Sequence, residues 1–348
     1  GDFNAFKGKE YVGYYVKASA EHADTVYDVL SDMLLKAKFD PAEIDKERGV
    51  IMEEYHMYLD TPMHQIGWDF ERLIYGDQPM GWDQVGTEDV IRRVTQADFQ
   101  KYKNDLYVPS NIVISVAGAL DHAEVAKNME QYFGSLAEQK KAYEHVPLQA
   151  YINPKRIYLR TKKTEQSHIC VGFPMVAEPA KDYWAAKVTG VILGGGMSSR
   201  MFMSVREEKG LAYYTNASAE GFTDSGIFST NAGVDVKRID LALDAVMQEY
   251  WKISAESVPA AELRKAKEYI KGKMILRLED SEEYAHLLGK YEVLYGKVLS
   301  PDEVLKAVDA VTAEDVLRFS RETFKKDAMH AAIIGPYEDE ERFLKLMG

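Results

Sequence analysis

Apolar positions between Val94 and Gly118 fall first at helical spacing and then in a continuous run. The stretch VTQADFQKYKNDLYVPSNIVISVAG therefore reads as an amphipathic helix followed by an apolar strand that ends in glycine. The same pattern returns at 311–335, VTAEDVLRFSRETFKKDAMHAAIIG, at an offset of 217 and with no gap. Val94 and Thr95 stand where Val311 and Thr312 do, Phe99 and Tyr102 match Val316 and Phe319, and Gly118 matches Gly335. Upstream, LIYG at 73–76 pairs with VLYG at 293–296 at offset 220, and PAEIDKERGVI at 41–51 with AAELRKAKEYI at 260–270 at offset 219. Solenoid repeats recur every ~20–50 residues, so a period this long is that of a duplicated domain.

The second copy predicts a full set of elements. Strands are expected at RIYLRT from Arg156 and at His168–Phe173, and a helix at Lys181–Leu193 stopped by Gly194, Gly195 and Gly196. A short helix around Met201–Lys209, strands at Ala212–Glu220 and Ser225–Asp235, and a helix at Ile239–Ile253 follow. A long helical stretch then runs from Pro259 to about Tyr295, ahead of the shared helix and strand. Strands and helices mix without strict βαβ alternation, which predicts an α+β fold with largely antiparallel sheets flanked by helices. In the first copy Asn4 aligns roughly with Asn216, so the opening strands and first helix of the second copy have no counterpart. The internal ruler expects about 60 further residues there, and the first domain is read as truncated at its N-terminus. The expected division is a first domain at 1–137, a polar linker with two prolines at 138–155, and a second domain at 156–348.

Composition narrows the function classes. The formal net charge of −13 argues against a nucleic-acid partner and fits either plain solubility or an acidic cavity that attracts basic peptides. No apolar run reaches the ~18–20 residues of a membrane span. The opening GDFNAFKGKEYVGYY has no basic region followed by an apolar stretch, so it is not read as a signal peptide, and a cytoplasmic location is favoured. The single cysteine, Cys170, lies in the strand-like run HICVGF and reads as a core residue; one cysteine makes no disulfide framework. The glycine run 194–196 lacks the pattern of a phosphate loop.

Candidate chemistry concentrates at Pro41–Asp60. Pro41 opens a helix in a favoured position, with Ile44, Ile51 and Tyr55 at the centre of its buried stripe. Glu47 and Glu54 are two turns apart and share one flank with about 20° of drift, whereas Glu53 points to water. Two stacked carboxylates are either a solvated acidic flank or a site that binds a metal or orients a ligand. The second copy carries Ala266 and Lys273 at these positions, so only one copy keeps the pair.

The runs FNAFKGKEYVGYY, ERGVIMEE, ILGGGMSSRMF and VREEKGLAYY, with the 86–118 stretch, resemble the pitrilysin/insulinase peptidases, most of all the mitochondrial processing peptidase-like branch. The resemblance covers essentially the whole chain in order. It implies two homologous domains facing each other around a chamber, and a zinc endopeptidase that cleaves internal bonds of unfolded or short peptides. In that family an inverted H-x-x-E-H motif supplies two zinc ligands and a general base. The resemblance implies Glu54 as the third zinc ligand and Glu47 as its supporting acid. Arg206 and Tyr213 would hold substrate near the metal, and Asn4, Ala5 and Phe6 would lie along a strand edge that an extended peptide joins. The departure is plain: none of the eight histidines forms H-x-x-E-H, and His56 and His64 are not read as substitutes. This chain alone is therefore expected to be inactive, with Zn2+ belonging to the complete protein. The resemblance also implies a homodimer or a heterodimer with a related chain, and leaves open a non-catalytic partner that supplies Arg206 and Tyr213 to another chain's site.

Overall fold

The computed structural model describes residues 1–136, 139–149 and 153–348. The chain opens with β1 (Asp2–Lys7) and β2 (Val12–Lys17), followed by α1 (Ala23–Leu35), α2 (Pro41–Asp60), α3 (Pro62–Tyr75), α4 (Glu88–Arg93), α5 (Gln96–Leu106) and α6 (His122–Phe133). Next come β3 (Ile157–Thr161), β4 (Gln166–Met175), α7 (Tyr183–Gly194), a π-helical turn at Phe202–Glu208, β5 (Ala212–Gly221) and β6 (Gly226–Asp235). The chain closes with α8 (Ile239–Ala255), α9 (Ala260–Arg277), α10 (Ser281–Tyr295), α11 (Pro301–Ala310), α12 (Ala313–Thr323), β7 (His330–Gly335) and α13 (Glu340–Met347). The fold is α+β, and no helix is long and apolar enough to cross a membrane among the described residues.

Two compact units share these elements. One consists of 56–83, 147–273 and 301–348. Its five-stranded sheet has the order β3-β7-β4-β6-β5, antiparallel throughout except for β3 beside β7. The run HICVGF does not alternate because β4 is central and buried on both faces. On one face Ile169, Val171 and Phe173 join α7, α8 and α12. On the other, Cys170 packs with Ile66, Phe70 and Ile74 of α3, and burial pushes its thiol pKa up, as suits a core residue. Asp69 of α3 is buried and accepts both branches of the Arg160 guanidinium at 2.5 and 2.8 Å, fastening α3 to β3.

The other unit consists of 1–55, 84–146 and 274–300. Its only sheet among the described residues is the β1–β2 hairpin. The helix expected at 94–106 forms with the same start as its repeat. Thr95 and Asp98 make a reciprocal capping box on α5, as Thr312 and Asp315 do on α12. The strand expected at 112–118 does not form. Its counterpart β7 is held between β3 and β4, and the described residues of this unit offer 112–117 no such flanks. An apolar run becomes a strand only where a neighbour takes up its backbone groups.

Other differences have local causes. The stretch from Pro259 to Tyr295 breaks into α9 and α10 at Asp280, whose side chain accepts from the backbone N–H of Glu282 and caps α10. The expected stripe of α2 is half-buried at Ile44, Ile51 and Tyr55, and Met52 is its buried residue. The division by contacts also differs from the division by repeats. Segment 56–83, with α3, belongs to the unit built mainly from the second copy, and 274–300, with α10, to the unit built mainly from the first. The boundary near the expected linker falls at Val146–Pro147; residues 138 and 150–152 of that linker, and Ala137 before it, lie outside the described residues.

Candidate functional site

The acidic helix forms as the pattern requires. Pro41 begins α2, and Arg48 on the same helix donates to the carbonyls of Ile91 and Val94, tying α2 to the end of α4. Glu54 is half-buried, Glu47 exposed and Glu53 exposed, so the two stacked carboxylates sit at the border between packing and solvent. A zinc ion needs at least three protein donors in this chemistry, and Glu54 alone would supply one. Among the described residues no group of three or more His, Cys, Asp or Glu side chains is placed to hold a metal ion. His64 lies on α3 with its ring edge-on to Tyr58 at 6.0 Å, and His56 is exposed in the last turns of α2; neither joins such a group. The described residues therefore do not make a zinc site by themselves.

Arg206 and Tyr213 occupy consecutive elements at one edge of the five-stranded sheet. Arg206 lies in the π-helical turn, its guanidinium 4.6 Å from the centre of the Phe202 ring and 3.8 Å from the Glu207 carboxylate, with the side chain 42% exposed. The turn ends at Gly210, whose φ of +54° lies in the left-handed region that favours glycine. Arg238 donates to the carbonyls of Lys209 and Gly210 at 3.0 Å each and clamps that turn. Tyr213 follows at once. Ala212 pairs with Val234 and Tyr214 with Gly233, so Tyr213 is an extra residue in β5, a bulge that leaves its ring 74% exposed. Tyr214 turns inward instead and its hydroxyl lies 3.0 Å from Nδ1 of His168; burial raises its pKa to about 12. An exposed phenol can donate to a carbonyl or oxyanion, and an exposed guanidinium binds carbonyls and carboxylates. Nothing in VREEKG signalled the π-helical turn.

In the β1–β2 hairpin, Asn4 and Ala5 are exposed, and the Asn4 side chain accepts from the backbone N–H of Ala5 at 2.8 Å. The outer edge of β1 has no partner strand among the described residues. Phe6 is more enclosed: its ring lies edge-on to Tyr11 at 5.7 Å and to His286 at 4.8 Å.

Comparison with known proteins agrees with this architecture. Residues 93–270 match the family model of the peptidase M16 inactive domain, and residues 1–73 that of insulinase, peptidase family M16. An uncharacterized zinc protease of Bacillus subtilis is 33% identical over 333 residues, covering 96% of this chain and 80% of the relative; one of Streptomyces coelicolor is 30% identical over 351 residues, covering 98% and 75%. Among solved structures, a protease from Helicobacter pylori superposes with a TM-score of 0.84 at 22% identity, covering 93% of this chain and 79% of that one. A chain of complex III from Candida albicans gives 0.87 at 17%, covering 99% and 85%. A peptidase M16 inactive domain from Pseudomonas fluorescens gives 0.85 at 17%, covering 97% and 81%.

Proposed function

From the premise that this chain belongs to peptidase family M16, we propose that it is the body of a zinc-dependent endopeptidase acting on internal bonds of unfolded or short peptides. In this reading Arg206 and Tyr213 hold the peptide, and Asn4, Ala5 and Phe6 lie beside it. Glu54 is the one metal ligand this chain contributes, with Glu47 in support. The two histidine ligands are not among its residues, so no chemical step is assigned to the metal here. The reading rests chiefly on the π-helical turn and the bulge, two local irregularities that present Arg206 and Tyr213 at the β5 end of the sheet, which has no further strand among the described residues. Irregularities of both kinds gather at functional sites because they re-aim side chains at some cost in regular bonding.

The second reading is a non-catalytic partner that lends Arg206 and Tyr213 to a related chain. It is favoured by the lack of a three-donor group among the described residues. Both readings require peptide binding. Fluorescence anisotropy with an unstructured peptide is expected to show affinity falling about fivefold in Tyr213→Phe and about tenfold in Arg206→Ala, the loss of one hydrogen bond and of one charged contact. Unchanged affinity in both variants would overturn both readings. Zinc binding and cleavage, measured after mixing with a related chain that carries H-x-x-E-H, then separate them. Loss of bound zinc in Glu54→Gln supports the peptidase, and full activity in that variant supports the partner.

A further inference from the structure

Arg238 joins the segment that separates Arg206 from Tyr213. Its Nη1 donates to the Gly210 carbonyl and its Nη2 to the Lys209 carbonyl, each at 3.0 Å. These carbonyls stand at the end of the π-helical turn, where a helix leaves its last acceptors unmet. The turn also closes back on itself. The N–H of Gly210 donates to the Arg206 carbonyl at 3.0 Å, and the N–H of Leu211 to the Val205 carbonyl at 2.9 Å. Two residues beyond Gly210, Ala212 pairs with Val234 of β6, and the bulge at Tyr213 follows. Segment 210–212 is therefore held at both ends, by Arg238 at Gly210 and by the ladder at Ala212. Arg206 leads into this segment and Tyr213 leaves it.

Arg238 is itself anchored. It ends a short turn at Val236–Arg238, where the Asp235 carboxylate accepts from the backbone N–H of Lys237 at 2.6 Å. The Val236 carbonyl accepts from the Tyr337 hydroxyl at 2.7 Å, and that hydroxyl lies 2.6 Å from Oγ of Ser167 on β4. Ile239, the next residue, is wholly buried. A line of contacts thus runs from the central strand through Tyr337 and Val236 to the carbonyls of Lys209 and Gly210. A guanidinium suits its end, because its planar fork reaches two neighbouring carbonyls at once, whereas an ammonium is a point donor. Lys209, Gly210 and Arg238 are all exposed, so water takes up the carbonyls when the guanidinium is removed, and overall stability changes little. What the bridge fixes is the backbone around Gly210, a residue free to take either sign of φ, and with it the spacing of the side chains on either side.

Resting on the reading that Arg206 and Tyr213 hold the peptide, we infer that Arg238 is a positioning residue for that pair. It acts through the Lys209 and Gly210 carbonyls and keeps both side chains at the separation that one extended peptide spans. Without the bridge, the pair is ordered anew at each binding event, and affinity carries that cost.

The test is fluorescence anisotropy of the whole chain with an unstructured peptide. Arg238→Ala is expected to bind about three- to tenfold more weakly, the cost of ordering one or two side chains, with the urea midpoint of wild type. Arg238→Lys keeps the charge and one donor and should recover part of the loss. In a chain already carrying Arg206→Ala and Tyr213→Ala, adding Arg238→Ala should cause no further loss, since nothing is left to position. Amide hydrogen exchange at 211–213 should quicken in Arg238→Ala while β4 stays protected. The inference is overturned if Arg238→Ala keeps wild-type affinity while Arg206→Ala and Tyr213→Phe bind weakly. It is overturned equally by the same loss in the chain lacking the pair, which would put Arg238 on the peptide itself. Full affinity in Arg238→Lys, which would leave only the charge to matter, a loss that comes only with a lowered urea midpoint, or unaltered exchange at 211–213 also sinks it. Wild-type affinity in both Arg206→Ala and Tyr213→Phe removes the peptide-holding reading, and this inference with it.

Discussion

His168 and His330 are both buried in the sheet of the second unit, on β4 and β7, and burial pushes the pKa of each below the ordinary imidazole value. A neutral ring is the form that packs there: Nδ1 of His168 meets the Tyr214 hydroxyl and Nδ1 of His330 faces the Ala328 carbonyl, each at 3.0 Å. Unfolded histidine takes up its proton near pH 6.5, above the folded pKa, so below that point the unfolded chain binds more protons and gains on the folded one. Stability of this unit is therefore expected to fall as the pH drops from about 7.5 to about 5. A urea midpoint followed across that range should flatten in His168→Gln and in His330→Gln; parallel slopes in wild type and variants would refute the assignment. At this scale the sequence was legible wherever one residue type answered one environment, as with Cys170 in its apolar run. It was illegible where placement depends on backbone irregularity. Tyr213 and Tyr214 are chemically alike, and the residue types alone do not say which of them meets solvent and which meets His168.

Elements followed the hydrophobic period closely. The capping boxes at Thr95 and Thr312 and the helices opened by Pro41 and Pro301 begin where side-chain chemistry says they should. What the period could not supply was the neighbour. Residues 112–117 are as strand-like as β7 and fail for want of flanks. The glycine run after α7 reads as a flexible stop, yet Gly195 keeps a right-handed φ of −76°. The reason for Gly194 is spatial: a Cβ there would stand 1.9 Å from the backbone nitrogen of Ala217 on β5, an atom that cannot swing aside. Gly194→Ala is expected to cost about 3 kcal/mol or more by forcing α7 off the sheet. Gly272→Ala, in α9 with nothing within 4 Å, should instead gain about 0.5–1 kcal/mol through the unfolded chain. Thermal denaturation of the two variants tests the contrast, and equal shifts would show that close approach is not what selects Gly194.

For the molecule as a whole, the internal repeat revealed the duplication but not its packing, because similarity between copies records descent and not contact. Each compact unit takes α3 or α10 from the copy that otherwise builds its neighbour. The consequence concerns divisibility. A cut between 139 and 149 would separate the copies in sequence, yet each product would hold one helix that the other product's sheet or hairpin packs against. Introducing a specific protease site there and cleaving it should yield two fragments that elute together at the uncut position and part only in denaturant; fragments that migrate apart in native buffer would contradict it. The duplication is thus a reciprocal loan, and the gene cannot be halved at its most obvious seam into two self-sufficient parts.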